Sequence, residues 1–279
     1  MKQMVDDKRN IRDNFFKYLS VLRIASVIKK AYILDFIGKL IYLPINLSIL
    51  YLVWYRIFQY MGIERLNDYS LLELYRYYYV VRIVGYSTSF YKQISYKIWN
   101  DITYGEISKF LCRPISYLKY QFFYGLGYIR YNLLISVPLF LIGTLLFRNQ
   151  QLSISSIIFF LASLSLSIIT TFFFNTLIGL ITFWTEAIFG VKDLILHVGM
   201  IFSGALIPLE FLPRYIALIG WLLPFNSMVY IPVSIGLGNL SEITVFKYLL
   251  IQLVWIIILA SMTTQIWSWG QRRYEAQGG

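Results

Sequence analysis

The chain alternates between long apolar runs and short polar segments. A helix needs about 20 apolar residues to cross a hydrocarbon core of about 30 Å. Six runs approach or exceed that length and are predicted to be transmembrane helices, at about residues 33–58, 71–91, 122–147, 154–184, 194–207 and 243–267. The fifth is short for a full crossing unless it begins near Ile188. The pattern predicts an all-α integral membrane protein that forms one domain, residues 1–279.

The long polar segment between the second and third runs is residues 92–120. Basic residues favour the cytoplasmic side of a membrane, and five of them lie here: Lys92, Lys97, Lys109, Arg113 and Lys119. Apolar residues recur between them at roughly helical spacing, which predicts a short amphipathic helix that breaks near Pro114. We expect this segment to be a docking surface for a soluble partner.

The N-terminal residues 1–32 mix basic and apolar side chains without the continuous apolar core of a signal peptide. This mixture predicts an interfacial helix on the anionic cytoplasmic leaflet, with an unstructured basic tail as the alternative. The proposed inner segments hold sixteen Lys and Arg residues, whereas the outer ones hold only Arg65, Arg148 and Arg214. This asymmetry predicts two cytoplasmic termini and an even number of spans.

Residues 207–241 are apolar but contain four prolines, which disfavour one continuous helix: Pro208, Pro213, Pro224 and Pro232. We predict helical hairpins here that enter the outer leaflet and return. Glu210 and Arg214 are four residues apart, so a pair along one helix face is expected.

The composition agrees with a membrane protein, since the chain is 58% hydrophobic and 14% charged, against about 25% charged in soluble domains. Loop topology explains the net charge of +11 better than nucleic-acid binding does, because no soluble basic module is apparent. The lone Cys112 excludes an internal disulfide, and the lone His197 argues against a metal site.

The sequence does not indicate an enzyme. Hydrolases and acyltransferases need a nucleophile with a base, a metal cluster or paired carboxylates, whereas the acids here are scattered singly. No phosphate loop of the GxxxxGKS or GxxxxGKT kind occurs, so the chain is not expected to bind ATP in that way.

Two arginines, Arg82 and Arg130, lie inside predicted spans. A central arginine costs roughly 2.5–3.5 kcal/mol on insertion scales, so such residues tend to face the protein interior or a water-filled path. If both faced a dimer cleft, they would attract an anionic substrate group beside several tyrosines: Tyr75, Tyr77, Tyr78, Tyr79 and Tyr86. The alternative is that each arginine is structural, held by carbonyls or by Glu73 and Glu186.

Four stretches of the sequence carry a family resemblance. They read ISKFLCRPISYLKY at 107–120, FWTEAIFG at 183–190, FSGALIPLEFLPRYIALIGWLLPFNSMVYIPVSI at 202–235 and WSWGQRRYEAQGG at the C-terminal end. With them the chain resembles the permease subunits of type-2 ATP-binding-cassette (ABC) exporters over nearly its whole length. The resemblance implies a fold like that of type V ABC exporters, with an N-terminal connecting helix, a coupling helix in the polar segment and re-entrant extracellular helices.

The resemblance also implies partners and an activity. Two permeases, identical or paired with a sister chain, would dimerise among the lipids of the plasma membrane. They would sit on two separate ABC ATPase subunits, which would hold ATP and Mg²⁺, while this chain would bind no cofactor. The complex would export an unidentified drug, lipid, peptide or glycan by alternating access. A channel or scaffold subunit without ATP coupling is the alternative.

Residue roles follow from the resemblance and the residue patterns together. Docking to the ATPase is assigned to one set in the polar segment: Glu106, Lys109, Phe110, Arg113, Pro114 and Tyr117. A translocation path is assigned to a second set: Arg82, Arg130, Tyr78 and Tyr86. An extracellular gate is assigned to a third: Leu206, Ile207, Leu212 and Phe225. The alternatives are a solvated loop helix for the first set and a plug of the dimer's outer surface for the third.

Overall fold

The computed structural model describes residues 16–28, 33–67, 69–112, 115–147, 153–185 and 188–276. Within these ranges the chain is almost entirely helical. The helices are α1 (16–28), α2 (Ile33–Met61), α3 (Leu71–Thr88), α4 (Ile94–Thr103), α5 (Ser108–Leu111), α6 (Tyr117–Leu146), α7 (Ile154–Leu180), α8 (Ile188–Phe202), α9 (Arg214–Leu222), α10 (Phe225–Met228), α11 (Tyr230–Leu237) and α12 (Glu242–Ala276). An antiparallel hairpin of β1 (Arg65–Leu66) and β2 (Tyr69–Ser70) joins α2 to α3, with Arg65 opposite Ser70. Short 3-10 turns lie at Tyr91–Gln93, Ile181–Phe183 and Leu209–Phe211.

Four stretches of the described chain are long and apolar enough to cross a membrane: Ile37–Met61, Tyr117–Leu146, Ile154–Phe183 and Glu242–Tyr274. The other two predicted spans correspond to α3 and α8. α3 has 18 residues but includes Glu73, Arg76 and Arg82, and α8 has 15 residues. The chain is therefore a multi-pass, all-α membrane protein with four apolar span candidates, and the total of six stays a prediction.

α3 begins at the residue where the sequence predicts its start. The N-cap residue is Ser70, whose Oγ accepts the Glu73 backbone N–H at 3.3 Å. The Glu73 carboxylate in turn accepts the Ser70 backbone N–H at 2.7 Å. This reciprocal pair satisfies backbone donors that the first helical turn leaves unpaired. The same carboxylate lies 3.1 Å from Arg65, which ties the β-hairpin to the helix.

The core of the fold runs along α3 and α7. α3 packs against α2, α6, α7 and α11, while α7 also packs along α12 and against α4. Two glycines let α6 approach α3 and the turn that follows it. A Cβ at Gly143 would lie 2.2 Å from the Tyr79 ring of α3, and one at Gly125 would lie 2.0 Å from the ring of Tyr91 in the 3-10 turn. In contrast, α2 and α12 expose many apolar side chains, as expected for surfaces that contact lipid or another chain.

α1 packs across α6 at Gly127. A Cβ there would lie 2.5 Å from the Leu22 carbonyl oxygen, so glycine permits the approach. The Ser26 hydroxyl donates to the Gly127 carbonyl at 3.2 Å. A helix is thus present in part of the predicted 1–32 range, and the rest of that range lies outside the described residues. Its position at a membrane surface stays a prediction.

The proline-rich stretch contains short helices. Pro213 and Pro224 stand immediately before α9 and α10, where a missing backbone N–H removes no helical hydrogen bond. Pro232 lies in the first turn of α11, and Gly238 ends that helix with a φ of 78°. α10 and α11 are buried against α7, whereas α9 is largely exposed. The re-entrant position of these helices stays a prediction.

Candidate coupling and gating sites

The polar segment, residues 92–120, contains α4, α5 and the start of α6. Gly105 adopts a φ of 74° between α4 and α5, and this left-handed residue ends the first helix. This break at Gly105 is one that the prediction of a single helix missed, while α5 ends at Leu111, three residues before Pro114. Arg113 and Pro114 themselves lie outside the described residues. The predicted amphipathic character is present, because apolar residues are buried beneath the segment: Ile94, Ile98, Ile102 and Ile107.

An ion pair between Glu106 and Lys109 lies on the surface of the polar segment. The Glu106 side chain is 45% exposed and that of Lys109 is 61% exposed. Exposed pairs of this kind add little to stability, so both side chains can change partner when another protein binds. Phe110 is half-buried beside them, with its ring centroid 5.1 Å from that of Tyr117 and 4.9 Å from that of Tyr120.

Tyr117 lies beneath this surface and not on it. It is 2% exposed, and its ring stacks on that of Trp267 in α12 with centroids 5.1 Å apart. Its hydroxyl donates to the Asp101 carboxylate at 2.7 Å. The direct docking role predicted for Tyr117 does not fit this position, because its side chain is enclosed by the chain itself. Tyr117 supports the segment from below.

Asp101 is the buried centre of that support, although it was not among the predicted site residues. Its carboxylate accepts hydrogen bonds from Tyr117 and from Gln121 Nε2 at 2.9 Å, and Lys97 Nζ lies 3.6 Å away. A buried carboxylate needs such partners because burial removes its hydration. The four-residue spacing of Lys97 and Asp101 in an amphipathic helix is the sequence signal that could have indicated it.

A second group of contacts joins the polar segment to the end of α12. The hydroxyls of Ser108 and Tyr274 lie 3.0 Å apart. Phe183 packs against Trp267 and Tyr274 with ring centroids 6.1 and 6.4 Å apart. A Cβ at Gly270 would lie 2.1 Å from the Phe183 ring, so glycine admits that ring against α12. Side-chain contacts therefore link α5 to both α6 and α12.

Arg82 is half-buried on α3, and its Nε has no hydrogen-bond partner within the described residues. Lys92 lies near it. Burial, and then the charge of Arg82, lower the pKa of the Lys92 ammonium group. Glu73 is not the partner of Arg82, because it caps α3 and pairs with Arg65. The other predicted partner, Glu186, lies outside the described residues.

The structure groups Arg82 with two of the predicted tyrosines. Tyr78, Arg82 and Tyr86 are four residues apart along α3 and therefore share one face. Both hydroxyls are used inside the fold: Tyr78 donates to the Leu206 carbonyl at 2.9 Å, and Tyr86 donates to the Lys39 carbonyl at 3.1 Å. These tyrosines thus hold the backbone at Leu206 and at Lys39 in place, a role that the sequence analysis did not predict.

Arg130 lies apart from that group. It is exposed on α6, on a stripe with Leu134 and Leu141 that are 63% and 39% exposed. Among the described residues, no hydrogen bond or ring contact links Arg130 to Arg82. The predicted path residues therefore divide between the α2–α3 interface and an outward face of α6.

The predicted gate residues also divide. Three lie on the loop that spans residues 203–212, which we call the gate loop: Leu206, Ile207 and Leu212. Leu206 is 52% exposed, as a gate residue at a surface would be. Phe225, at the start of α10, is only 9% exposed and packs against Phe174 with ring centroids 5.1 Å apart. It also lies against α8, where a Cβ at Gly199 would come 2.9 Å from its ring.

The pair predicted between Glu210 and Arg214 is wrong. Glu210 lies in the 3-10 turn before Pro213, whereas Arg214 begins α9, so the two residues do not share a helix face. The Glu210 carboxylate instead accepts the Tyr230 hydroxyl, and its backbone carbonyl accepts Asn67 Nδ2 at 2.9 Å. These bonds connect the gate loop to α11 and to the β-hairpin.

A further buried polar group lies between α7, α10 and α12. Gln252 is fully buried, and its Nε2 donates to the Ser227 carbonyl at 2.9 Å and to the Ser163 carbonyl at 3.2 Å. The Ser163 hydroxyl donates to Gln252 Oε1 at 2.9 Å. A single glutamine within a long apolar run was the available sequence signal, since such a residue needs internal partners.

In the part of the chain that the structure describes, no three His, Cys, Asp or Glu side chains are grouped closely enough to hold a metal ion. Cys112 is exposed. His197 Nδ1 lies 2.6 Å from the Asp193 carbonyl oxygen of the preceding helical turn. Both residues therefore have ordinary structural surroundings.

Comparison with protein families adds an independent finding. The model of a family described as "ABC-2 family transporter protein" matches residues 44–278. The match includes the polar segment, the gate loop and every helix from α3 to α12. No curated protein matches the chain.

Proposed function

The chain belongs to the ABC-2 transporter family as a membrane permease subunit, and on that premise we propose that it exports a substrate when ATPase subunits bind its polar segment. Permeases of this family normally work with ABC ATPase subunits. The observation that carries the proposal is the construction of the polar segment. An exposed pair, Glu106 and Lys109, stands on a buried base that contacts α6 and α12.

In this proposal, closure of the ATPase dimer pushes on α5 and the neighbouring side chains. Glu106, Lys109 and Phe110 make the contact, with Arg113 and Pro114 next to them in the sequence. Tyr117 and Asp101 transmit the force and do not touch the partner. ATP and Mg²⁺ would be held by the ATPase chains, and this chain would supply the path.

The wider arrangement is also a proposal. α3 and α8 would complete six spans, residues 207–241 would form the re-entrant extracellular part, and two permease chains would pair in the plasma membrane. The charge asymmetry of the sequence supports two cytoplasmic termini. The exposed apolar surface of α2 supports contact with lipid or with a second permease.

The docking proposal can be tested by co-purification with co-expressed ABC ATPases. The Glu106→Ala and Arg113→Ala variants should insert into the membrane normally. They should co-purify with several-fold less ATPase subunit and show little nucleotide-driven transport. Glu64→Ala is the matched control, because Glu64 is exposed at the opposite end of α3 and should have no effect. Wild-type ATPase recovery in both docking variants would contradict the assignment and favour a channel or scaffold without ATP coupling.

We also propose that the path prefers an anionic or polar substrate group. The support is Arg82, whose half-buried guanidinium lacks an acidic partner in the described chain and lies near a second cation, Lys92. Arg82→Gln should lower transport of an anionic fluorescent lipid or dye more than that of its neutral analogue. Arg130→Gln is the variant with which Arg82→Gln is compared, because Arg130 lies on the outward face of α6. Equal losses for both analogues would contradict the electrostatic preference.

A further inference from the structure

α3 connects the two candidate sites. It begins at Leu71 beside the β-hairpin and runs for 18 residues, a length of about 27 Å at about 1.5 Å per residue. At its far end it continues through the Tyr91–Gln93 turn directly into α4 of the polar segment. A displacement of α4 therefore acts on one end of α3, and the gate loop lies at the other end.

Three consecutive tyrosines near the start of α3 each bond to a backbone carbonyl. Tyr77 donates to Gly204 at 2.6 Å and Tyr78 donates to Leu206 at 2.9 Å, both on the gate loop. Tyr79 donates to the Leu139 carbonyl of α6 and does not reach the loop. Tyr77 is 0% and Tyr78 is 2% exposed, and the bond to Gly204 is buried whereas the bond to Leu206 is part-buried.

The gate loop is shaped to receive these hydroxyls. Gly204 has a φ of 74°, a conformation that favours glycine, and a Cβ there would lie 2.6 Å from the Tyr77 hydroxyl oxygen. Only a residue without a side chain at position 204 therefore allows the gate loop, and with it the acceptor carbonyls of Gly204 and Leu206, to lie this close to α3. Leu206 itself remains 52% exposed on the other side.

We propose that the hydroxyls of Tyr77 and Tyr78 hold the gate loop on α3 and thereby position Leu206 and Ile207, the residues that would close the outer gate. The proposal deepens the proposed function and rests on it for the meaning of the gate. The two hydroxyl bonds add directional attachments to the apolar contacts of the same loop, in which Leu209 is 2% exposed and Phe211 packs against Trp54 and Tyr69. Opening the gate loop requires these bonds to break together with part of that packing, so their loss shifts the opening equilibrium.

The test measures how fast a soluble maleimide labels Ser203→Cys in a Cys112→Ser background. Ser203 lies in the gate loop and is only 5% exposed, so its labelling reports opening of the loop. Purified protein in lipid nanodiscs exposes both faces, so the result does not depend on membrane orientation. Tyr77→Phe and Tyr78→Phe should each raise the labelling rate about two- to tenfold, the change in opening equilibrium that one hydrogen bond of ordinary net strength gives. Tyr79→Phe is the matched control and should leave the rate unchanged.

The outcomes distinguish loss of the Tyr77 and Tyr78 hydrogen bonds from a general loosening of the fold, and they are independent of the transport proposal. Labelling that stays at the parental rate in both Tyr77→Phe and Tyr78→Phe overturns the inference, as does an equal rise in Tyr79→Phe. A thermal unfolding curve for each variant shows that it is folded, and Tyr78→Phe alone suffices if Tyr77→Phe does not fold. These measurements need no ATPase. Failure of nucleotide-driven transport would thus contradict the proposed function while leaving the labelling result in place.

Discussion

The gate loop and the α10–α11 pair that follows it come from the same proline-rich stretch but are held differently. α10 and α11 are buried: α10 packs against α7 and α12, α11 packs against α7 and α3, and the Ser227 carbonyl accepts a bond from the fully buried Gln252. The gate loop is partly exposed, although Leu209 is buried, and hydroxyl and amide groups donate to its backbone carbonyls. The Glu210 carboxylate of the loop also accepts the Tyr230 hydroxyl of α11. We therefore expect the α10–α11 pair to move with α7, while the exposed part of the loop can move separately once its polar bonds break.

The largest effect is expected when the buried glutamine is replaced. Gln252→Leu removes three hydrogen bonds and leaves the Ser227 carbonyl without this donor, which should lower the free energy of unfolding by about 3 kcal/mol at about 1 kcal/mol per bond. The measurement is thermal unfolding in detergent or nanodiscs. Gln265→Leu is the control, because Gln265 lies on the same helix but is exposed.

If the two glutamine variants unfold at the same temperature, the α10–α11 pair is not fixed by this network. A variant that unfolds at a lower temperature but is labelled at the parental rate at Ser203→Cys would sharpen the comparison. It would show that the helix pair and the loop have separate attachments.

An intermediate effect is expected when Gly204, whose carbonyl accepts the Tyr77 hydroxyl, is replaced. Gly204→Ala should cost roughly 1–2 kcal/mol for the left-handed backbone, and its Cβ would also displace the Tyr77 hydroxyl. Gly62→Ala is the control, since Gly62 has a φ of 63° but no atom near the added Cβ. Both variants should lose stability, and only Gly204→Ala should raise the labelling rate at Ser203→Cys. Equal labelling in the two would contradict the contact between the gate loop and Tyr77.

Local features of this fold could be predicted from the sequence, and distant pairings could not. Ser70 and Glu73 are only three residues apart, so their capping box and the start of α3 are visible in the pattern. The amphipathic isoleucines of the polar segment are visible for the same reason. Tyr78 and Leu206 are 128 positions apart, and nothing in the local pattern indicates that they bond.

Distance along the chain also explains the misplaced site residues. Tyr117 lies within the polar segment and its sequence context therefore suggests an exposed aromatic, but Trp267 in the last helix stacks on its ring and helps to bury it. Phe225 lies among gate-like apolar residues, yet Phe174 of α7 encloses it. Arg82 and Arg130 both lie in predicted spans, and only the packing of α3 and α6 shows that they occupy different surfaces.

The smallest effect is expected at the edge of the gate loop. Asn67 has a φ of 50° and donates to the Glu210 carbonyl from an exposed position, where water competes for the bond. Asn67→Gly removes the amide but keeps a residue that tolerates this backbone, so stability should change by less than about 0.5 kcal/mol. Thermal unfolding measures this change. A loss as large as that of Gly204→Ala would mean that the hairpin, and not α3, is the main attachment of the loop.

Backbone hydrogen exchange in the assembled complex tests the central claim most directly. Amide exchange would be compared between the nucleotide-free and ATP-bound complex, for peptides from the gate loop and from α10–α11. The account predicts a nucleotide-dependent change in exchange for residues 203–212 and none for 225–237. Equal changes in both regions, or a change confined to α10–α11, would contradict a gate loop that moves on a fixed support.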